Sequence, residues 1–158
     1  MKTLMKAIEI AGAVHKGQKD KAGLPYIFHP LRVSGKIAAR GFSEDAQVAG
    51  ILHDVLEDSN LISADVLLGE GIPESVIALL IIATRGETET YAEYIQRIVD
   101  SNNMEAIALK MADILDNLDP VRVMSSDIDD SLITRYTDAL EKLNEKFQEL
   151  KEKEISGG

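Results

Sequence analysis

At 158 residues the chain is long enough to bury one core of ordinary domain size. Its 45% hydrophobic and 28% charged composition is that of a globular domain, and a net charge of −10 argues against nucleic acid as a bulk partner. Cysteine is absent, which excludes disulfides and thiolate metal sites, and no apolar run approaches the ~20 residues of a membrane span.

In chain order the pattern is helical. Leu4, Ile8, Ala11 and His15 form a stripe that ends at Lys16-Gly17-Gln18, and Lys19 to Pro25 reads as a loop. Pro30 suits the first turn of a helix running to about Arg40, with Gly41 as its stop. Ser43 is a good N-cap for a third helix that turns Val48, Ile51, Leu52 and Val55 inward and runs on into Asp58. Asp58-Ser59-Asn60 breaks it, and Ser63 caps a short helix to Leu68. From Pro73 the run through Ile82 is apolar nearly all round, the pattern of a buried central helix. Arg85 to Thr90 is a polar loop, followed by amphipathic helices over about 91–100 and 104–118. Residues 125–131 are polar and acidic. A last helix over about 132–153 carries Tyr136, Leu140, Leu143, Phe147 and Leu150 as a seam, either for its own domain or for self-association. The expectation is one all-α domain over 1–158, with a motif-bearing core to about 120 and a C-terminal helical extension over about 125–153. Met1 to Lys6 lacks the apolar core of a signal peptide, and with no cysteine a cytoplasmic location is expected.

The chemistry-bearing residues are clustered. His53-Asp54-Val55-Leu56-Glu57-Asp58 puts four ionisable groups in six residues directly after an apolar run. A divalent cation compensates such a cluster, because it neutralises carboxylates and takes a neutral imidazole nitrogen. With His29 upstream and Asp113 downstream the set is a mixed N/O site, and the oxygen-rich, thiolate-free donors favour Mn²⁺, with other divalent metals as alternatives. The bland alternative is a solvated helix end. On the helix expected over about 104–118, Lys110, Asp113 and Asn117 share one helical face beside the core stripe. Residues 1–40 hold eight Lys/Arg against two Asp/Glu, and residues 41–158 nine against 25; the basic segment around His29 reads either as a site for a small anionic ligand or as an ordinary solvated face.

Four motifs recur together and in order: His15-Lys16-Gly17-Gln18; Gly23-Leu24-Pro25-Tyr26-Ile27-Phe28-His29-Pro30; Ala49-Gly50-Ile51-Leu52-His53-Asp54-Val55-Leu56-Glu57-Asp58; and Lys110-Met111-Ala112-Asp113 with Asn117. On these the chain resembles the HD-domain metal-dependent phosphohydrolases, specifically the (p)ppGpp hydrolase domain of the bifunctional synthetase/hydrolases and the small alarmone hydrolases. The resemblance implies an all-α HD-domain helical bundle and a Mn²⁺ held by His29, His53, Asp54 and Asp113. It implies catalytic roles for Glu57 and Asp58, and substrate contacts from Lys21, Tyr26, Arg85, Lys110 and Asn117. The reaction implied is removal of the 3′-pyrophosphate of a guanosine polyphosphate. His15 reads as a helix-end residue near the site rather than a ligand.

The chain also departs from the family pattern. Asp20 stands where the family carries a loop arginine, and an acid there is expected to repel a polyphosphate. Asp113-Ile114-Leu115-Asp116-Asn117-Leu118 lacks the family's basic residues, and Pro120 falls where a small polar residue is common. Two alternatives therefore stand beside ppGpp hydrolysis: an HD hydrolase of another phosphorylated nucleotide or metabolite, and a catalytically silent binding or scaffold protein.

Overall fold

A computed structural model describes residues 2–59, 61–124 and 129–157. Asn60 of the expected breaker and residues 125–128 of the expected acidic connection lie outside it. The described residues form ten helices and no strand, with one isolated antiparallel bridge between Lys19 and Pro25. The helices are α1 (Lys2–Val14), α2 (Phe28–Ala39), α3 (Glu44–Leu52), α4 (Val55–Asp58), α5 (Ala64–Gly69), α6 (Glu74–Ala83), α7 (Tyr91–Asp100), α8 (Met104–Asn117), α9 (Pro120–Met124) and α10 (Asp130–Ser156).

Local chemistry explains most boundaries. Ser43 and Ser63 accept the amides of Ala46 and Val66, as N-caps do. Thr90 and Glu93 form a capping box at the start of α7. Gly41 ends α2 in a left-handed conformation, φ 78°, that a side chain disfavours. Helix α2 begins at Phe28 rather than at Pro30, because the amides of Phe28 and His29 bond back to Pro25 and Tyr26. Pro30 still lies in the first turn, where its missing N–H costs no helix bond.

The third helix differs from the pattern. It stops at Leu52 and resumes as the four-residue α4, leaving His53 and Asp54 in the turn between. No proline or glycine causes this. His53 Nδ1–H donates to the Gly50 carbonyl at 2.9 Å, the acceptor that an unbroken helix gives to the amide of residue 54. Helix α9 was not legible in the sequence.

Two apolar clusters hold the helices. The larger joins α1, α2, α3, α5 and α6 with Ala106, Leu109 and Ala112 of α8. The smaller joins α7 and α10 with Ile107 and Ile114 of α8. Helix α8 thus serves both clusters. Helix α6 is central, with Val76, Ile77, Leu79 and Leu80 buried, although Ile81 is 58% exposed. The α10 seam packs on its own domain: Leu143 is buried, and Tyr136, Leu140, Phe147 and Leu150 pack around α7 and α8. Helices α2 and α3 meet closely at Gly50, where an added Cβ would lie 2.9 Å from Ile37 Cδ1 and 3.0 Å from the Ser34 Cα. No helix among the described residues is long and apolar enough to cross a membrane.

Candidate metal centre and its cavity

Three elements converge on one point. Helix α2 brings His29, the α3–α4 turn brings His53 and Asp54, and α8 brings Asp113. His29, His53 and Asp113 are buried and offer ligand atoms within 4.8 Å of one another. Asp113 Oδ1 lies 3.2 Å from His29 Nε2 and 3.7 Å from His53 Nε2. Asp54 Oδ2 lies 3.1 Å from His53 Nε2 and 3.6 Å from His29 Nε2. That oxygen also accepts the Tyr26 hydroxyl at 2.5 Å, and Asp113 Oδ1 likewise accepts Asn117 Nδ2 at 2.8 Å.

Each ligand-type group is anchored from behind. His53 donates from Nδ1 to Gly50, which leaves its Nε2 lone pair facing the cluster; that nitrogen is buried and has no hydrogen-bond partner in the structure. His29 Nδ1 meets Asp116 Oδ2 at 2.8 Å, again leaving Nε2 inward. Asp113 takes Lys110 Nζ at 2.6 Å and Asn117 Nδ2 at 2.8 Å. Two imidazole nitrogens and two carboxylates around one buried point are the donor set of a hard-to-borderline divalent cation, so the residues fit such an ion.

The electrostatics agree. Burial alone would lower both imidazoles, yet His29 is raised by Asp113 and Asp116, and His53 is raised well above its ordinary value by Asp54 and Asp113. Burial would raise Asp54, but the imidazoles hold it down at about 2. Asp113 is likewise held well below the carboxylate range, against its burial, by Lys110 and both histidines. Lys110 stays charged although buried, because Asp113 faces it. Negative charge thus surrounds the imidazole nitrogens and favours a positive occupant, whether protons or a metal ion.

Above this floor opens a cavity of about 400 Å³. Lys21, Tyr26, Arg85, Lys110 and Asn117, the five expected substrate contacts, all line it. Lys110 and Asn117 do so while bonded to Asp113. Glu57 lines it too, its Oε1 accepting the Arg85 amide at 2.8 Å. Asp58 turns the other way, accepting Gln18 Nε2 at 2.9 Å, and Gln18 Oε1 in turn meets His15 Nδ1 at 2.7 Å. His15 is buried against the Tyr26 ring at 4.9 Å and is not in the ligand group.

Asp20 lines the cavity as well. Its side chain is 4% exposed. Oδ1 caps the loop amides of Ala22 and Leu24 at 3.0 and 2.9 Å, and Oδ2 lies 4.0 Å from Arg122 Nε. The carboxylate thus holds the loop and faces an arginine while it lines the cavity.

Several lining residues escaped the sequence reading. Tyr91, Tyr94 and Tyr136 form an aromatic wall, with Arg135 Cζ 4.7 Å above the Tyr91 ring centroid and Lys110 Nζ 5.0 Å above that of Tyr94. Arg122 joins from α9. Asp116 is fully buried beneath His29 and pairs with Arg32, Lys36 and Arg122. One signal was available: His29, Arg32 and Lys36 stand at i, i+3, i+7, a polar stripe on α2 that needed a buried anion opposite.

No family model matches the chain. It is 39% identical over 79 residues to a guanosine-3′,5′-bis(diphosphate) 3′-pyrophosphohydrolase of Borreliella burgdorferi, covering 50% of this chain and 12% of that protein. To the enzyme of the same name from Aquifex aeolicus it is 32% identical over 119 residues, covering 73% of this chain and 17% of that one. A GTP pyrophosphokinase of Streptomyces coelicolor is 30% identical over 133 residues, covering 78% and 15%. The chain therefore spans less than a fifth of the length of these relatives. Among solved structures it superposes with TM-score 0.74 on one described as a metazoan orthologue of SpoT that hydrolyses ppGpp and plays a role in starvation responses. The identity there is 22%, covering 95% of this chain and 94% of that one. A Listeria monocytogenes protein gives TM-score 0.53 and 25% identity, covering 78% and 96%. The likeness to the first structure carries the all-α fold over nearly the whole chain.

Proposed function

We propose that this chain is a divalent-metal-dependent phosphohydrolase of the HD type that removes the 3′-pyrophosphate from guanosine polyphosphates such as ppGpp and pppGpp. One observation carries the reading: His29, His53, Asp54 and Asp113 converge on the floor of a cavity whose wall carries Lys21, Arg85, Lys110, Arg122 and Arg135. An anionic substrate is what so cationic a wall recognises in a chain of net charge −10. The names of the relatives supply the guanosine polyphosphate; the geometry supports the phosphoryl chemistry. His29, His53, Asp54 and Asp113 would hold the ion, for which Mn²⁺ is our choice. Such a cation polarises a phosphoryl oxygen and acidifies water.

The protein's own part is positioning and proton handling. Glu57 is the general base of this reading: its carboxylate lines the cavity, and the Arg85 amide fixes one oxygen, leaving the other to take a proton from the attacking water. Asp58, turned toward Gln18, steadies the α4 end of the site. Lys21 and Arg85 meet phosphate oxygens, and Tyr26 orients Asp54. Water attacks the phosphorus bonded to the ribose O3′, the P–O3′ bond breaks and O3′ takes up a proton, so ppGpp yields GDP and pyrophosphate, the water oxygen ending on the pyrophosphate. The site of action is the cytoplasm, where such nucleotides are made and used. An HD hydrolase of another phosphorylated nucleotide and a silent binder are the competing readings.

Metal-loaded protein incubated with ppGpp, pppGpp and a panel of other nucleotides, with pyrophosphate and phosphate measured, tests the proposal. Release of pyrophosphate from ppGpp is expected. Turnover of other nucleotides alone would move the assignment to another substrate, and no turnover of any would leave a binding protein.

A further inference from the structure

We infer that Asp116 is a positioning residue that holds a metal ligand and a substrate-facing arginine with one carboxylate, tying the metal centre to the cavity wall. The inference rests on the reading of His29 as a metal ligand. Asp116 lies on α8 with no solvent exposure. Its two oxygens share Arg32 and divide the other neighbours between them. Oδ2 takes His29 Nδ1 at 2.8 Å, Arg122 Nη1 at 2.6 Å and Arg32 Nη2 at 3.0 Å. Oδ1 takes Arg32 Nε at 2.9 Å and Lys36 Nζ at 3.0 Å. Three helices, α2, α8 and α9, therefore meet on one buried carboxylate.

The chemistry of the donors fixes the tautomer. An ionised carboxylate only accepts, so the Nδ1 facing it must carry the imidazole hydrogen. The lone pair is then on Nε2, the nitrogen 3.2 Å from Asp113 Oδ1 and 3.6 Å from Asp54 Oδ2. A carboxylate behind a ligating imidazole sets ring orientation and strengthens the donor. Arg122 Nη1 also lies 3.0 Å from His29 Nδ1. With both nitrogens bearing hydrogens aimed at the shared Oδ2, that approach follows from the sharing and is not a bond.

Arg122 extends the tie to the cavity. It lines the wall, carried on α9, which packs no buried residue of its own. Asp116 bonds it, and Asp20 of the Lys19–Pro25 loop lies 4.0 Å from its Nε. A planar guanidinium held by a buried carboxylate keeps a fixed orientation at the wall it lines. Asp116 therefore sets both where His29 points and where Arg122 stands.

The test uses the full-length protein. Metal affinity is measured by calorimetry with Mn²⁺ alone, KM and kcat with ppGpp, and folding by circular dichroism and thermal melting. Asp116→Asn is expected to weaken Mn²⁺ binding about 10–100-fold and to raise KM. Arg122→Lys is expected to raise KM at least about threefold, because one point charge replaces a fork, with Mn²⁺ affinity unchanged. Lys36→Met removes a contact of similar length to the other oxygen and is expected to leave Mn²⁺ affinity and KM at wild-type values. That control separates positioning from general loss of buried contacts. Should Asp116→Asn not fold, Asp116→Glu carries the same test, since it keeps the charge and displaces it by one methylene. Wild-type Mn²⁺ affinity in the folded Asp116 variant overturns the inference while leaving the metal centre intact. Lost metal affinity with unchanged KM overturns the tie to the wall. If the wild-type protein binds no divalent metal, the metal centre itself fails, and this inference with it.

Discussion

At the floor of the cavity, His29, His53 and Asp113 each have a second contact behind them: Asp116, the Gly50 carbonyl, and Lys110 with Asn117. At the rim, Lys21, Arg85 and Arg135 stand on exposed positions, and Arg85 bonds its own loop at the Glu89 carbonyl. A buried floor braced from behind holds donor atoms in fixed positions, while a solvated rim adapts to a flexible anionic ligand at small energetic cost. Chemistry should therefore be intolerant of change at the floor and tolerant at the rim.

The largest effect is expected at the floor. Asp54→Ala should abolish Mn²⁺ binding with the helical fold retained, a loss beyond the ~10–100-fold typical of groups that only orient a ligand. Calorimetry and circular dichroism check it, and unaltered metal content would show that Tyr26 has already claimed the Asp54 carboxylate. Glu57→Gln separates base from ligand: kcat should fall about 10²–10⁴-fold with Mn²⁺ affinity unchanged. A parallel fall in metal affinity would place Glu57 among the ligands instead.

Gly50→Ala probes how the floor is mounted. The new methyl meets the Ser34 backbone of α2, which cannot rotate away, so roughly 1–3 kcal/mol of stability should be lost in denaturant unfolding. A neutral result would mean that α2 and α3 separate easily. Lys21→Ala probes the rim: KM should rise only about fivefold, near 1 kcal/mol, with kcat intact. A collapse of kcat would erase the distinction between floor and rim.

The pH dependence has a definite sign. For the raised His29 and His53, stabilisation is complete below the ordinary imidazole value of 6.5 and fades as pH climbs through their folded values. For Asp54, held down at about 2, stabilisation is present above 3.8 and fades as pH falls toward that value. Metal-free protein should thus be most stable between 3.8 and 6.5 and weaken on the alkaline side. Bound metal replaces the imidazole protons, so the alkaline weakening should vanish in thermal melts with Mn²⁺. Identical alkaline slopes with chelator and with metal would contradict this.

Much of the fold was legible from local signals. The Ser43 and Ser63 caps, the Gly41 stop and the α10 seam each depend on neighbours within a turn or two, or on a period that burial imposes. The residues of the floor were legible because histidine and aspartate beside apolar runs need compensation. The break at His53 was not, because a side chain took a backbone acceptor within the helix. Asp116 was missed because its partners His29, Arg32 and Lys36 lie 80 or more residues away. The part Asp20 plays in its loop was not legible either: Oδ1 accepts the amides of Ala22 and Leu24, and Oδ2 faces Arg122, about a hundred residues on.

The central claim is that the floor is a metal centre on which turnover of a guanosine polyphosphate depends. Chelated protein should be inert toward ppGpp, and stoichiometric Mn²⁺ should restore pyrophosphate release in the wild type but not in His53→Ala. Equal turnover with and without chelator, or full restoration in His53→Ala, would contradict the account.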